Sequence, residues 1–264
     1  MLHALALVLI TFQETKSPVN DAIPFLEARA TRYTGGEYKD EEFHYQVLRP
    51  LKIEDGKKYP IVIFLHGAGE RGDDNRAQLK YFPTMMAKPE YREKYPCFLI
   101  APQCRTGESW AGFGRPRAAS GDEPSKPSEP TDQLKIVMQI LDSSLKMYPV
   151  DPNRIYLTGL SMGGYGAWDW AVREPDRFAA VVPICGGGDE SKADRLIKTP
   201  IWAFHGDKDN VVPPSASRNM IAAIKKAGGE PKYTELAGVG HDSWTPAYND
   251  PKGVVPWMFE QRKK

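Results

Sequence analysis

Long hydrophobic runs are missing from this 264-residue chain, so nothing in it reads as a membrane-spanning helix. An excess of charge of one sign is missing too. The 35 basic residues face 34 acidic ones, for a formal net charge of +1. That removes the electrostatic footprint of a nucleic-acid or anionic-membrane partner. Cysteines are few: Cys97, Cys104 and Cys185. Three do not make a disulfide framework. The first two flank one expected strand, which sets them about 20 Å apart at ~3.3 Å per residue, too far to bridge. Their spacing is not that of a metal site either, so all three are expected as buried or half-buried thiols. What remains is an ordinary globular composition, 41% hydrophobic and 26% charged, at a length that suits one large α/β domain or two small ones.

The first ten residues, Met1 to Ile10, are apolar and short. They fit the hydrophobic region of a secretory signal, cut before Glu14 or Lys16, and hence a secreted or periplasmic protein. No basic residue precedes them and no small-x-small cleavage site follows, so an internal start site or a short packed segment, and a cytoplasmic protein, is the alternative. Residues 1–36 are taken as leader and linker, with a short helical turn around Phe25, Leu26 and Ala28 and a break at Gly35-Gly36. Residues 37–264 are taken as a single α/β domain.

Within that domain, Phe43, Tyr45 and Val47 alternate with polar neighbours as in a strand, and Asp55-Gly56 is a turn of hairpin type. Ile61–Leu65 and Pro96–Pro102 read as strands buried on both faces, with a helix between them over 76–86. Residues 105–130 form a long loop rich in proline and serine; Pro116, Pro124, Pro127 and Pro130 exclude a helix or central strand there. The spacing of Leu134, Val137, Met138, Leu141 and Leu145 predicts an amphipathic helix over 131–147. Strands and helices then alternate to the end: strands before Ser161, over 178–185, over 200–206 and over 232–236, and helices to about Arg173, over 215–227 and over 254–262. This order implies a mostly parallel central sheet with helices on both faces.

The centre of that pattern is Ile155-Tyr-Leu-Thr-Gly-Leu-Ser161-Met-Gly-Gly-Tyr-Gly166. A strand runs into Gly-x-Ser-x-Gly and then into a helix, the context that makes the pattern a nucleophile elbow. A serine on so sharp a turn takes a strained backbone, and side chains two positions before and after would collide; Gly159 and Gly163 remove them. A serine hydroxyl needs a base, the base needs an acceptor that fixes its tautomer, and the developing oxyanion needs preset N–H donors. Asp207 and Asp209 follow one strand and His241 follows the last, in the order Ser–Asp–His. The N–H of Met162, just after the serine, and that of Ala68, in the loop after His66, are the expected oxyanion donors.

These residues carry a resemblance. His66-Gly-Ala-Gly-Glu-Arg-Gly72 through Asn75, Ala101-Pro-Gln-Cys104 with Trp110, the serine turn, His205-Gly-Asp-Lys-Asp209 with Val212-Pro213, and Gly240-His241 with Trp244 resemble a serine esterase of the α/β-hydrolase superfamily. The likeness is to the bacterial predicted-peptidase and phospholipase/carboxylesterase-like group, related to feruloyl and polyhydroxybutyrate-type esterases. It implies Ser161 as nucleophile, His241 as general base and acid, and Asp209 rather than Asp207 as the orienting acid. It implies a hydrolase of carboxylic esters, small or polymer-linked, such as feruloyl or acetyl esters of plant polysaccharide or short-chain esters, with no metal or cofactor. A peptidase or acyltransferase on the same triad is the alternative, and a non-catalytic binding module the rival from another class. Trp110 and Trp244 are candidate pocket walls, with packing as the bland alternative. His66, His205 and Asp207 are expected to be structural, His3 and His44 uninvolved. Glu70 and Arg71 either touch substrate or pair with each other.

Overall fold

The computed structural model describes residues 17–112 and 129–263. The leader through Lys16 and the greater part of the proline-rich loop, 113–128, lie outside the described residues. Among the described residues no helix is long and apolar enough to cross a membrane.

Eight strands form one sheet. In chain order they are β1 (Leu26–Gly35), β2 (Tyr38–Leu48), β3 (Tyr59–Leu65), β4 (Phe98–Pro102), β5 (Val150–Leu160), β6 (Ala180–Ile184), β7 (Trp202–Gly206) and β8 (Lys232–Leu236). Across the sheet the order is β1-β2-β4-β3-β5-β6-β7-β8. The β1–β2 and β2–β4 pairs are antiparallel and every later pair is parallel. The helices are α1 (Pro18–Ala22), α2 (Phe82–Met86), α3 (Pro89–Lys94), α4 (Asp132–Met147), α5 (Met162–Arg173), α6 (Ser215–Lys226), α7 (Trp244–Asn249) and α8 (Val254–Glu260).

Period-two alternation sorts the two cores. Ile61, Ile63 and Leu65 of β3 face one side, with α4, α5 and α6; Val62 and Phe64 face the other, with α2, α7 and α8. All five side chains are fully buried, each contributing roughly 1.5–3 kcal/mol of burial free energy. Helix α4 begins where expected because the Thr131 hydroxyl oxygen accepts the Leu134 N–H at 3.2 Å.

Three expectations are corrected. The sheet starts at Leu26, not after residue 36: the segment taken as linker is edge strand β1, and Gly35-Gly36 is the tip of its hairpin with β2. An edge strand tolerates the charges of Glu27, Arg29 and Arg32 because much of it faces solvent. One face is still tied down, by Tyr33 donating to Asp132 at 2.8 Å and Gln139 donating to Thr31 at 2.8 Å. Asp55-Gly56 is a turn, but the strands it joins, β2 and β3, are not neighbours, since β4 lies between them. The helix over 76–86 is broken into a 3-10 turn (Ala77–Leu79) and α2, because Tyr81 between them has φ 64°.

Candidate active site

The chemically distinctive residues stand at carboxyl ends of strands in the parallel half of the sheet. Ser161 follows β5, Asp209 follows β7, His241 follows β8, and Ala68 follows β3. This is where open α/β sheets form their sites.

Ser161 has φ 53° and ψ −116°, a state that costs an L-residue ~1–3 kcal/mol and persists only where the surroundings impose it. They do. The Ser161 N–H is held by the Ile184 carbonyl at 2.9 Å. The turn is so close to its neighbours that a Cβ on Gly163 would lie 1.9 Å from the Leu65 carbonyl oxygen, and one on Gly159 2.3 Å from that of Gly163. Ser161 Oγ lies 2.9 Å from His241 Nε2, and His241 Nδ1 lies 2.7 Å from Asp209 Oδ2. The structure brings these three side chains together from positions 80 and 32 residues apart. Asp207 is elsewhere: it accepts the Gly238 N–H at 2.7 Å, bracing the loop that carries His241.

Asp209 is fixed on all sides. Its Oδ1 accepts the N–H groups of Val211 and Val212, each at 2.9 Å. Its Oδ2 faces His241 and also His205, whose Nε2 is 3.2 Å away. Burial pushes the Asp209 carboxyl up, but the bonds from His241, Val212 and Val211 outweigh it and hold it below the usual carboxylate range. His205, expected to be structural, is therefore also a neighbour of the acid. It is fully buried, spans the Val212 carbonyl at 3.0 Å and the Ser217 hydroxyl at 2.8 Å, and burial lowers its pKa.

Ala68 opens a 3-10 turn (Ala68–Glu70) and is exposed. Gly67 beside it touches the residue before the serine: a Cβ there would lie 2.8 Å from Leu160 Cδ1. Met162 is the first residue of α5, where helical N–H groups have no partner in their own helix. Both expected donors thus border the serine turn. The Ala68 loop is braced by Gln103, whose Nε2 donates to the Glu70 carbonyl at 3.2 Å and to Asp74 at 2.8 Å while its Oε1 accepts the Asn75 N–H at 2.7 Å. The Glu70 carboxylate has Lys80, not Arg71, as its ion-pair partner, at 3.9 Å.

His66 is fully buried under that loop. Its Nδ1 donates to the Gly67 carbonyl at 2.6 Å and its Nε2 accepts the Cys104 N–H at 2.9 Å. Burial lowers its pKa to about 4, so it is neutral. A histidine with a depressed folded pKa contributes stability that is complete above its unfolded value near 6.5 and lost as pH falls toward the folded value. The urea midpoint is therefore expected to fall steeply from pH 6.5 to 4, with His66 contributing on the order of 3 kcal/mol and His205 adding in the same direction. A flat midpoint across that window contradicts the assignment.

Of the two readings of Trp110, packing holds and the pocket wall does not. Trp110 is 1% exposed, its indole donates to the His66 carbonyl at 3.0 Å, and it fills the space over Gly166; it is packing under the serine helix, not a pocket wall. Trp244 does stand at the site, its ring 5.3 Å from that of His241 and nearly perpendicular to it. His44 pairs on the surface with Glu42 at 3.0 Å. All three cysteines are buried, and none is in a disulfide.

Two residues around His241 and Trp244 have no forerunner in the motif pattern. Cys185, after β6, has donor atoms within 4.8 Å of those of Asp209 and His241. A thiophilic ion would find three ligands there, but burial raises the thiol pKa to about 12, and the ion would have to displace the proton between His241 and Asp209. Its position at a strand's carboxyl end, before Gly186-Gly-Gly188, is the sequence signal that marks it. Tyr81 packs its ring 5.4 Å from Trp244, and no glycine or other turn residue marks its left-handed backbone.

Comparison with known proteins agrees with this fold. A solved structure described as a thermostable esterase superposes with a TM-score of 0.82 at 38% identity, covering 91% of this chain and 64% of that one. The chain has the α/β-hydrolase fold. A family model described as the dienelactone hydrolase family matches residues 120–249 of the chain. A probable carboxylesterase of rice (Oryza sativa subsp. japonica) is 28% identical over 69% of the chain and 81% of its own length. An uncharacterized peptidase of Bacillus subtilis (strain 168) is 25% identical over 74% of the chain but only 33% of its own length. The chain thus spans a third of the bacterial relative and just under two thirds of the thermostable esterase.

Proposed function

We propose that the protein hydrolyses carboxylic esters through an acyl-enzyme formed on Ser161. The observation that carries this is the continuous path Ser161 Oγ–His241–Asp209, with links of 2.9 and 2.7 Å. Asp209 is an acceptor only, so the Nδ1 proton of His241 points at it and the Nε2 lone pair faces the serine hydroxyl. Ser161 Oγ attacks the ester carbonyl as its proton passes to Nε2. The charge on the carbonyl oxygen is taken by the N–H groups of Met162 and Ala68. The imidazolium then gives its proton to the departing alcohol, and a water, deprotonated by the same nitrogen, releases the acid. Asp209 stays ionised throughout.

The substrates that suit this chemistry are short-chain esters and the feruloyl or acetyl esters of plant polysaccharide. A fluorophosphonate probe is expected to add once, on the peptide that carries Ser161, as read by mass spectrometry. A panel of p-nitrophenyl esters of rising acyl length, with methyl ferulate and acetylated xylan beside them, ranks the substrates. No adduct and no hydrolysis across the panel would refute the proposal.

A further inference from the structure

Tyr81 combines three properties that rarely coincide. It is aromatic, it is 39% exposed, and its backbone is strained, at φ 64° and ψ −108°. Ser161, at φ 53° and ψ −116°, holds nearly the same state. Non-glycine residues keep such a conformation only when the fold overrides it, and such residues cluster at sites of function. The restraint is visible. The Tyr81 carbonyl accepts the Met85 N–H at 3.0 Å at the start of α2, and the Thr84 hydroxyl ties that turn to the Leu79 carbonyl at 2.6 Å.

The result is a row of rings. Tyr81 meets Trp244 at 5.4 Å and 61°, and Trp244 meets His241 at 5.3 Å and 88°. Trp244 is 9% exposed and is itself the floor; Tyr81 is the member with an open face. Partial burial, then the neighbouring carboxylates of Glu70 and Asp242, raises the Tyr81 hydroxyl pKa. The residue therefore lies between the loop that carries Ala68 and the loop that carries His241. Two rings meeting at a steep angle beside the reacting histidine offer a third ring one face and one edge, the arrangements aromatic pairs prefer. The open face of Tyr81 beside the Trp244 ring suits a neutral aromatic group.

Resting on the ester-hydrolase reading above, we infer that Tyr81 is a specificity-determining residue, held in a strained backbone so that its ring, with Trp244, binds an aromatic group of the ester. The test compares wild type with Y81A, Y81G and Y81F on two matched pairs, methyl benzoate against methyl butyrate and phenyl acetate against ethyl acetate. Intrinsic reactivity cancels when the ratio of kcat/KM within a pair is compared between variants. In at least one pair Y81A and Y81G are expected to lower the aromatic-to-alkyl ratio about tenfold, mainly through KM. The pair that responds identifies the half of the ester that docks. Y81F, which keeps the ring, should stay within about threefold of wild type. Glycine accepts the backbone state and alanine does not, so Y81G should melt about 2–4 °C above Y81A. If wild type hydrolyses these esters and both ratios shift less than threefold in Y81A and Y81G, the inference is overturned. If wild type hydrolyses none of them, it is the ester-hydrolase reading that fails.

Discussion

Replacing Ser161 with alanine is expected to lower kcat on p-nitrophenyl acetate about 10⁴- to 10⁶-fold and to abolish labelling by a fluorophosphonate. The size of the loss follows from the geometry. The hydroxyl is the only part removed, and His241 Nε2, 2.9 Å away, is left facing a methyl group. The N–H groups of Ala68 and Met162 remain, so KM should hardly change and a slow background should persist. Alanine at φ 53° is no more strained than serine, so the variant should fold and elute as wild type. Near-normal turnover by S161A would remove the acyl-enzyme from consideration.

The second large effect is expected from Asp209→Asn, about 10⁴-fold in kcat. Oδ1 of Asp209 is committed to two backbone N–H groups, from Val211 and Val212. An asparagine keeps those bonds only by placing its NH₂ where Oδ2 now stands. That NH₂ then meets His241 Nδ1, which must become an acceptor, and the ring proton moves to Nε2, facing Ser161. The base is lost without any side chain leaving. The same NH₂ also meets His205 Nε2, 3.2 Å from the present oxygen, so the variant should be less stable by about 1–3 kcal/mol as well. Asp207→Asn is the control: its carboxylate accepts one backbone N–H, a bond an amide oxygen can keep, and activity should stay within about threefold. Equal losses in both variants would place the acid elsewhere.

Much of this site was legible because each component ends a strand and carries chemistry that packing does not call for. A serine between glycines, an aspartate before Val-Val-Pro and a histidine after Gly-Val-Gly stand out even when their contacts are unknown. The central strands were legible for a similar reason: five apolar residues in succession at Ile61–Leu65 suit only a strand covered on both faces. Strand β1 was not, since its charges and half-exposed positions are those of a loop until β2 pairs with it. Trp110 stayed open between two readings because an indole beside such a loop looks alike whether it lines a pocket or holds the loop up; its bond to the His66 carbonyl decides for packing. Tyr81 escaped entirely. Its role depends on a ring contact with Trp244, far along the chain, and on a backbone angle that no local pattern announces.

The pairing of β3 with β5 has a consequence for how the molecule acquires its activity. Ile61 aligns with Ile155 and Leu65 with Gly159, so the two flanks of the serine turn come from segments that are distant in the chain and adjacent in the sheet. Long-range parallel pairing is among the slowest events in folding, because loop closure must precede its reward. Each of the other reacting groups hangs from a strand added further along the same sheet. Hydrolytic activity should thus return only at the last phase of refolding, after helical signal has recovered. Enzyme assays on a refolding sample would then serve as a clock for closure of the central sheet.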